Sequence, residues 1–130
     1  MRILLDTNRL MDAFRGAPEM VKNLEQAAEI WIPFVALAEI KAGFLGGTRP
    51  AENEGLLQAF LRLPGVEVLF ADRETTDVYA RLFVQLRRAG TPIPTNDLWI
   101  ASLALQHQLV LLSRDEHFDK LPQVSKGLTI

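Results

Sequence analysis

Apolar residues in this chain fall into short unbroken runs separated by longer amphipathic stretches, and the two patterns alternate from end to end. Ile3-Leu4-Leu5 is continuously apolar and gives way at once to Asp6-Thr7-Asn8. A run without polar alternation predicts a strand covered on both faces, the habit of parallel sheet. Helical patterns follow over about Thr7–Arg15 and Pro18–Ala28, the second opened by a proline suited to a first helical position. Ile30-Trp31-Ile32 predicts a second strand, and beyond Pro33 a helix runs from about Phe34 to Leu45, ended by Gly46-Gly47. Pro50–Leu63 predicts another helix and Glu67–Phe70 a third strand. Asp72 then precedes a long amphipathic helix in which Val78, Leu82 and Leu86 recur every four residues, closing at Gly90. After the stiff Gly90–Pro94 loop, Thr95 is the expected N-cap of a helix from about Asn96 to Gln108. Leu109–Leu112 predicts the fourth strand. A short helical turn near Glu116–Lys120 and a last strand at Leu128–Ile130 complete the order.

Strands separated by helices require crossover connections, which lay helices over both faces of a sheet. The fold class is therefore α/β. The chain is expected to form one domain, since 130 residues with 48% hydrophobic content suffice for one core and no repeat or linker interrupts them. The absence of cysteine removes disulfides, thiol nucleophiles and thiolate metal sites, and two histidines argue against zinc. Three apolar residues before Asp6 are too few for a signal-peptide core, and no run approaches membrane-spanning length. A soluble, cytoplasmic protein is expected. A net charge of −2 neither favours nor excludes nucleic acid, because a basic patch can coexist with a balanced total.

In open α/β sheets ligands bind beyond the carboxyl ends of the strands, and here those positions are acidic. Asp6 follows the first strand directly, and Asp115 follows Leu109–Leu112 after only Ser113-Arg114. Glu39 and Asp97 lie early in helices. Taken singly, Asp6 and Asp115 have an ordinary role as caps, and Asp97 as a first-turn acid favoured by the helix dipole. Glu39 is different: its helical neighbours Val35, Ala36, Ala42 and Gly43 are apolar or small, so its face is expected to be buried, and Lys41 is wrongly spaced to meet it. A buried carboxylate needs a partner. If the four acids converge, each ionised pair at ~5 Å repels by roughly 3 kcal/mol at an effective dielectric of about 20, so the cluster calls for cations. Carboxylates are hard ligands suited to Mg²⁺ or Mn²⁺, a combination that points to metal-assisted phosphodiester hydrolysis.

Asp6-Thr7-Asn8, Glu39 within its apolar helix, Asn96-Asp97-Leu98-Trp99-Ile100-Ala101 and Ser113-Arg114-Asp115-Glu116-His117-Phe118 together resemble the PIN domain, and among PIN domains the VapC toxins of toxin–antitoxin pairs. The likeness runs along nearly the whole chain. It implies a three-layer α/β/α fold around a mainly parallel five-stranded sheet, and an endoribonuclease using Mg²⁺ or Mn²⁺. Asp6, Glu39, Asp97 and Asp115 match the family's acidic quartet. Asn8 and Ser113 match polar positions that would orient ligands or water, with turn and capping contacts as their ordinary alternative. Arg9 stands where the family often has an apolar residue, and with Arg114 it is a candidate contact to RNA phosphate. The resemblance further implies a VapB-like antitoxin and a homodimer. His117 and His107 are assigned no catalytic part, since a histidine beside Phe118 reads as a packing or capping residue.

Other functions that gather acids at strand ends fit less well. A receiver would want an acidic pair after the first strand and a lysine late in the sheet. A haloacid-dehalogenase-like phosphatase would want aspartate where Asn8 stands, and no glycine-rich turn follows a strand to cradle a nucleotide. A non-catalytic interaction domain stays open as the alternative.

Overall fold

A computed structural model describes residues 1–127. Five parallel strands, β1 (Arg2–Leu5), β2 (Glu29–Pro33), β3 (Val66–Leu69), β4 (Val110–Leu112) and β5 (Lys126–Gly127), form one sheet in the order β3-β2-β1-β4-β5. The helices are α1 (Thr7–Phe14), α2 (Pro18–Gln26), α3 (Phe34–Leu45), α4 (Pro50–Leu61), α5 (Arg73–Ala89) and α6 (Thr95–His107), with a 3₁₀ turn at Glu116–Lys120. The last strand expected at Leu128–Ile130 lies outside the described residues.

β1 is central, and its apolar run is buried completely, as an unbroken run in a parallel strand should be. Ile3 and Leu5 turn to one side, into a core with Leu10 of α1, Met20 of α2, Ile40 and Phe44 of α3 and Leu57 of α4. Leu4 turns to the other, against Val78, Leu82 and Leu86 of α5 and Leu98, Ala101 and Leu103 of α6. The alternation of side chains along one strand thus divides the helices into two layers.

Three of the boundaries that differ from expectation have a local reason. β3 stops at Leu69 because its partner β2 stops at Pro33, the residue registered against it; Phe70 has nothing to pair with and is exposed. Thr95 is not a cap but the first helical residue of α6. Pro94 occupies the capping position in extended backbone, and its carbonyl accepts from the Leu98 amide at 3.0 Å. Gln108, in the left-handed conformation at φ 54°, ends α6 and delays β4 until Val110. Asp72 precedes α5 as expected, and it does so as a reciprocal cap: its side chain accepts from the Thr75 amide while the Thr75 hydroxyl accepts from the Asp72 amide. Among the described residues no helix is long and apolar enough to cross a membrane.

Candidate active site

Consecutive strands step outward from β1 to β2 to β3, and the chain then crosses back through α5 and α6 to place β4 on the other side of β1. The strand order reverses between β1 and β4, and connections leaving the two strands there diverge to open a crevice at their carboxyl ends. Asp6 follows β1 and Ser113-Arg114-Asp115 follows β4. The parallel register, with Leu5 opposite Leu112, brings those two exits side by side.

Asp6 is nearly buried, at 5% exposure. One carboxylate oxygen accepts from the Arg9 amide at 3.0 Å, capping α1, and the other accepts from the hydroxyl of the fully buried Ser113. Ser113 Oγ in turn accepts from the Asp115 amide at 2.9 Å, so one hydroxyl links the ends of both strands. Burial pushes the Asp6 pKa above the ordinary carboxylate value of 3.8; Ser113 and the Arg9 amide pull against that shift, while Asp115 and Asp97 add to it. Those two charges identify the neighbours: Asp97, in the first turn of α6, and Asp115, ahead of the 3₁₀ turn, lie within electrostatic reach of Asp6.

His117 stands between them. Asp115 Oδ1 accepts from the His117 amide at 2.9 Å, an aspartate turn that folds the imidazole back, while buried Phe118 anchors the next residue. Nδ1 then lies 2.8 Å from Asp97 Oδ2 and 3.1 Å from Asp115 Oδ1. His117 therefore does more than pack or cap, contrary to expectation, and the spacing Asp115-Glu116-His117 is the sequence signal for that turn. Thr7 also belongs to the site. Its hydroxyl donates to Glu39 Oε1 at 3.0 Å and so holds α3's carboxylate against the residue that follows Asp6.

Glu39 itself departs from expectation, for it is exposed rather than buried. Val35, Ala36 and Ile40 carry the buried face of α3, whereas Ala42 and Gly43, though small, are exposed and leave the Glu39 carboxylate open to solvent. Arg9 departs in the opposite sense. Its side chain is 2% exposed and its guanidinium meets Asp12 and Glu19 at 3.0 Å each, so it is not placed to meet an RNA backbone. Arg114 is half-exposed and lies 2.9 Å from Asp12, and Asn8 is exposed on the first turn of α1.

Asp97, Asp115 and His117 each offer one ligand atom, and these atoms lie within 4.8 Å of one another. A cation seated there would relieve the mutual repulsion that Asp6 registers, and a set dominated by carboxylate oxygen fits a hard divalent ion. Residues 3–124 match the PIN domain family model. The chain belongs to the PIN-domain family. This PIN domain is 30% identical over 129 residues to ribonuclease VapC2 of Rickettsia felis, with 95% of each chain covered, and 28% identical to ribonuclease VapC4 of Mycobacterium tuberculosis, covering 95% of the chain and 93% of that relative. Among solved structures it resembles VapBC2 from Rickettsia felis bound to a DNA fragment from its promoter, with a TM-score of 0.87, 27% identity and 98% of each chain covered. The same PIN fold recurs in the FitAcB structure from Neisseria gonorrhoeae, at a TM-score of 0.77 and 25% identity, over 95% of each chain.

Proposed function

We propose that this chain is the toxin of a VapBC-type pair, an endoribonuclease that hydrolyses RNA phosphodiester bonds in the cytoplasm with Mg²⁺ or Mn²⁺. The observation that carries the reading is the convergence of ligand atoms from Asp97 and Asp115 within 4.8 Å, with Asp6 tied to the same edge through Ser113 where β1 and β4 end. Asp6, Asp97 and Asp115 hold the cation, and Glu39, presented by Thr7, completes the quartet from the α3 side. When bound, the ion supplies an activated water and offsets charge on the leaving oxygen.

The chain's own contribution is orientation. Ser113 and the Arg9 amide fix both oxygens of Asp6, and the Asp115 amide fixes Ser113, so the acidic edge is set before RNA arrives. Glu39 is exposed, and its carboxylate is held by the Thr7 hydroxyl at 3.0 Å. Arg114 stands beside the crevice, half-exposed, and is the arginine placed to receive a phosphate in place of Asp12. Hydrolysis by water leaves a 5′-phosphate and a free 3′-hydroxyl, without attack by the 2′-hydroxyl.

The similar VapBC-5 structure from Mycobacterium tuberculosis, at 25% identity, is named as a member of the VapBC family of toxin–antitoxin systems, which supports a VapB-like antitoxin as the partner; a homodimer is part of the same reading. The test is to sequence RNA ends after expressing the wild-type chain and Asp97→Asn. New 5′-phosphate ends are expected with the wild type, with a loss of roughly a thousandfold in the variant, the scale of about 4 kcal/mol of transition-state stabilisation. Cyclic 2′,3′-phosphate ends, or undiminished cleavage by Asp97→Asn, would defeat the proposal.

A further inference from the structure

The quartet offers only oxygen ligands, yet a nitrogen sits beside two of its members. His117 Nδ1 is 2.8 Å from Asp97 Oδ2 and 3.1 Å from Asp115 Oδ1. Both are hydrogen-bond or ion-pair distances, and the three atoms lie within 4.8 Å of one another, close enough to share one divalent ion. The imidazole is held there by the backbone. The aspartate turn at Asp115 fixes the His117 amide, and Phe118, 1% exposed, pins the next residue in the core. The His117 side chain is itself 41% exposed and is not consumed by packing.

We propose that His117 is a nitrogen ligand of the site through Nδ1, and that it biases the site toward Mn²⁺ and other nitrogen-accepting divalent ions over Mg²⁺. Carboxylate and water oxygens serve both ions, but imidazole adds more to transition-metal binding than to Mg²⁺ binding, so one nitrogen among oxygens shifts selectivity. The inference rests on the acidic quartet being a metal site.

The experiment uses untagged protein and Mn²⁺ as the probe. Electron spin-echo modulation of bound Mn²⁺ should show ¹⁴N coupling in the wild type and lose it in His117→Ala and His117→Gln. In parallel, the Kd for Mn²⁺ should weaken about tenfold or more in both variants, while that for Mg²⁺ changes less than about threefold. His107, the one other histidine, closes α6 at the end away from Asp97, so the nitrogen signal has one source. Circular dichroism verifies that the variants are folded. Mn²⁺ binding in the wild type without nitrogen coupling, or equal weakening of both ions in the variants, overturns the role of His117 while leaving the acidic site standing. No Mn²⁺ binding by the wild type overturns the metal site, and His117 with it.

Discussion

Two charged groups meet the start of α1, and they balance their charge differently. In one, the Arg9 guanidinium lies within 3.0 Å of both Asp12 and Glu19, and Asp12 receives a second guanidinium, from Arg114, at 2.9 Å. In the other, Asp6 is raised chiefly by burial with Asp115 and Asp97 adding to it, and those two acids share a single imidazole. A carboxylate removed from water is stable only with a counter-charge or hydrogen bonds in hand. The first group finds that charge within the chain and is complete once the chain is folded. The second keeps an excess of negative charge at an open crevice, and that excess is what a cation from solution can satisfy.

The contrast can be broken most forcefully from the structural side. Arg9→Met should cost about 3 kcal/mol in urea-induced unfolding, the low end of the range for stripping a partner from a buried pair because Glu19 remains largely exposed. An unchanged midpoint would mean that the Arg9 pairs add nothing to stability. Saturating Mn²⁺ should act on the other group, raising stability by about 2.7 kcal/mol at a hundred times its Kd, read as a higher melting temperature. Asp97→Asn should lose most of that gain; an undiminished rise would put the binding elsewhere.

A subtler comparison follows from pH. Between the ordinary carboxylate value of 3.8 and the raised value of Asp6, the folded chain keeps a proton that the unfolded chain has lost. Stability therefore falls as pH rises through that window, and the cost is complete above it. In the presence of a chelator, Asp6→Asn should be more stable than the wild type at pH 7, and this difference should close as pH drops below the window. A series of thermal melts reads it, and a variant less stable at neutral pH would reverse the sign assigned to Asp6. The smallest effect is expected at Arg114. Because that pair is half-exposed, Arg114→Gln should change the unfolding free energy by about 0.5 kcal/mol or less. A loss of several kcal/mol would make Arg114 part of the structural group rather than a side chain available to phosphate.

Much of the crevice was legible before folding because strand-end position is a local property. An apolar run followed by an acid marks both Asp6 and Asp115, and Asp97 falls in the first turn of α6 whether that helix begins at Thr95 or Asn96. Glu39 was harder, because the apolar and small residues around it do not reveal how far α3 is covered; only the packing of Val35, Ala36 and Ile40 shows where the cover ends. Arg9 follows an exposed asparagine in sequence, yet it is buried, with its guanidinium held by Asp12 and by the outward-lying Glu19.

Periodicity by itself determined the alternation of strands and helices, the α/β class and the acids at the carboxyl ends of the central strands, because each depends on burial within a few residues. Tertiary structure alone decided which acids meet. The return of β4 beside β1 joins residues more than a hundred positions apart, as the hydrogen bond from Ser113 to Asp6 shows. Through-space electrostatics and metal geometry depend on separations of a few ångströms. Such separations are set by strand register and by the turn that carries His117, and a linear pattern does not contain them.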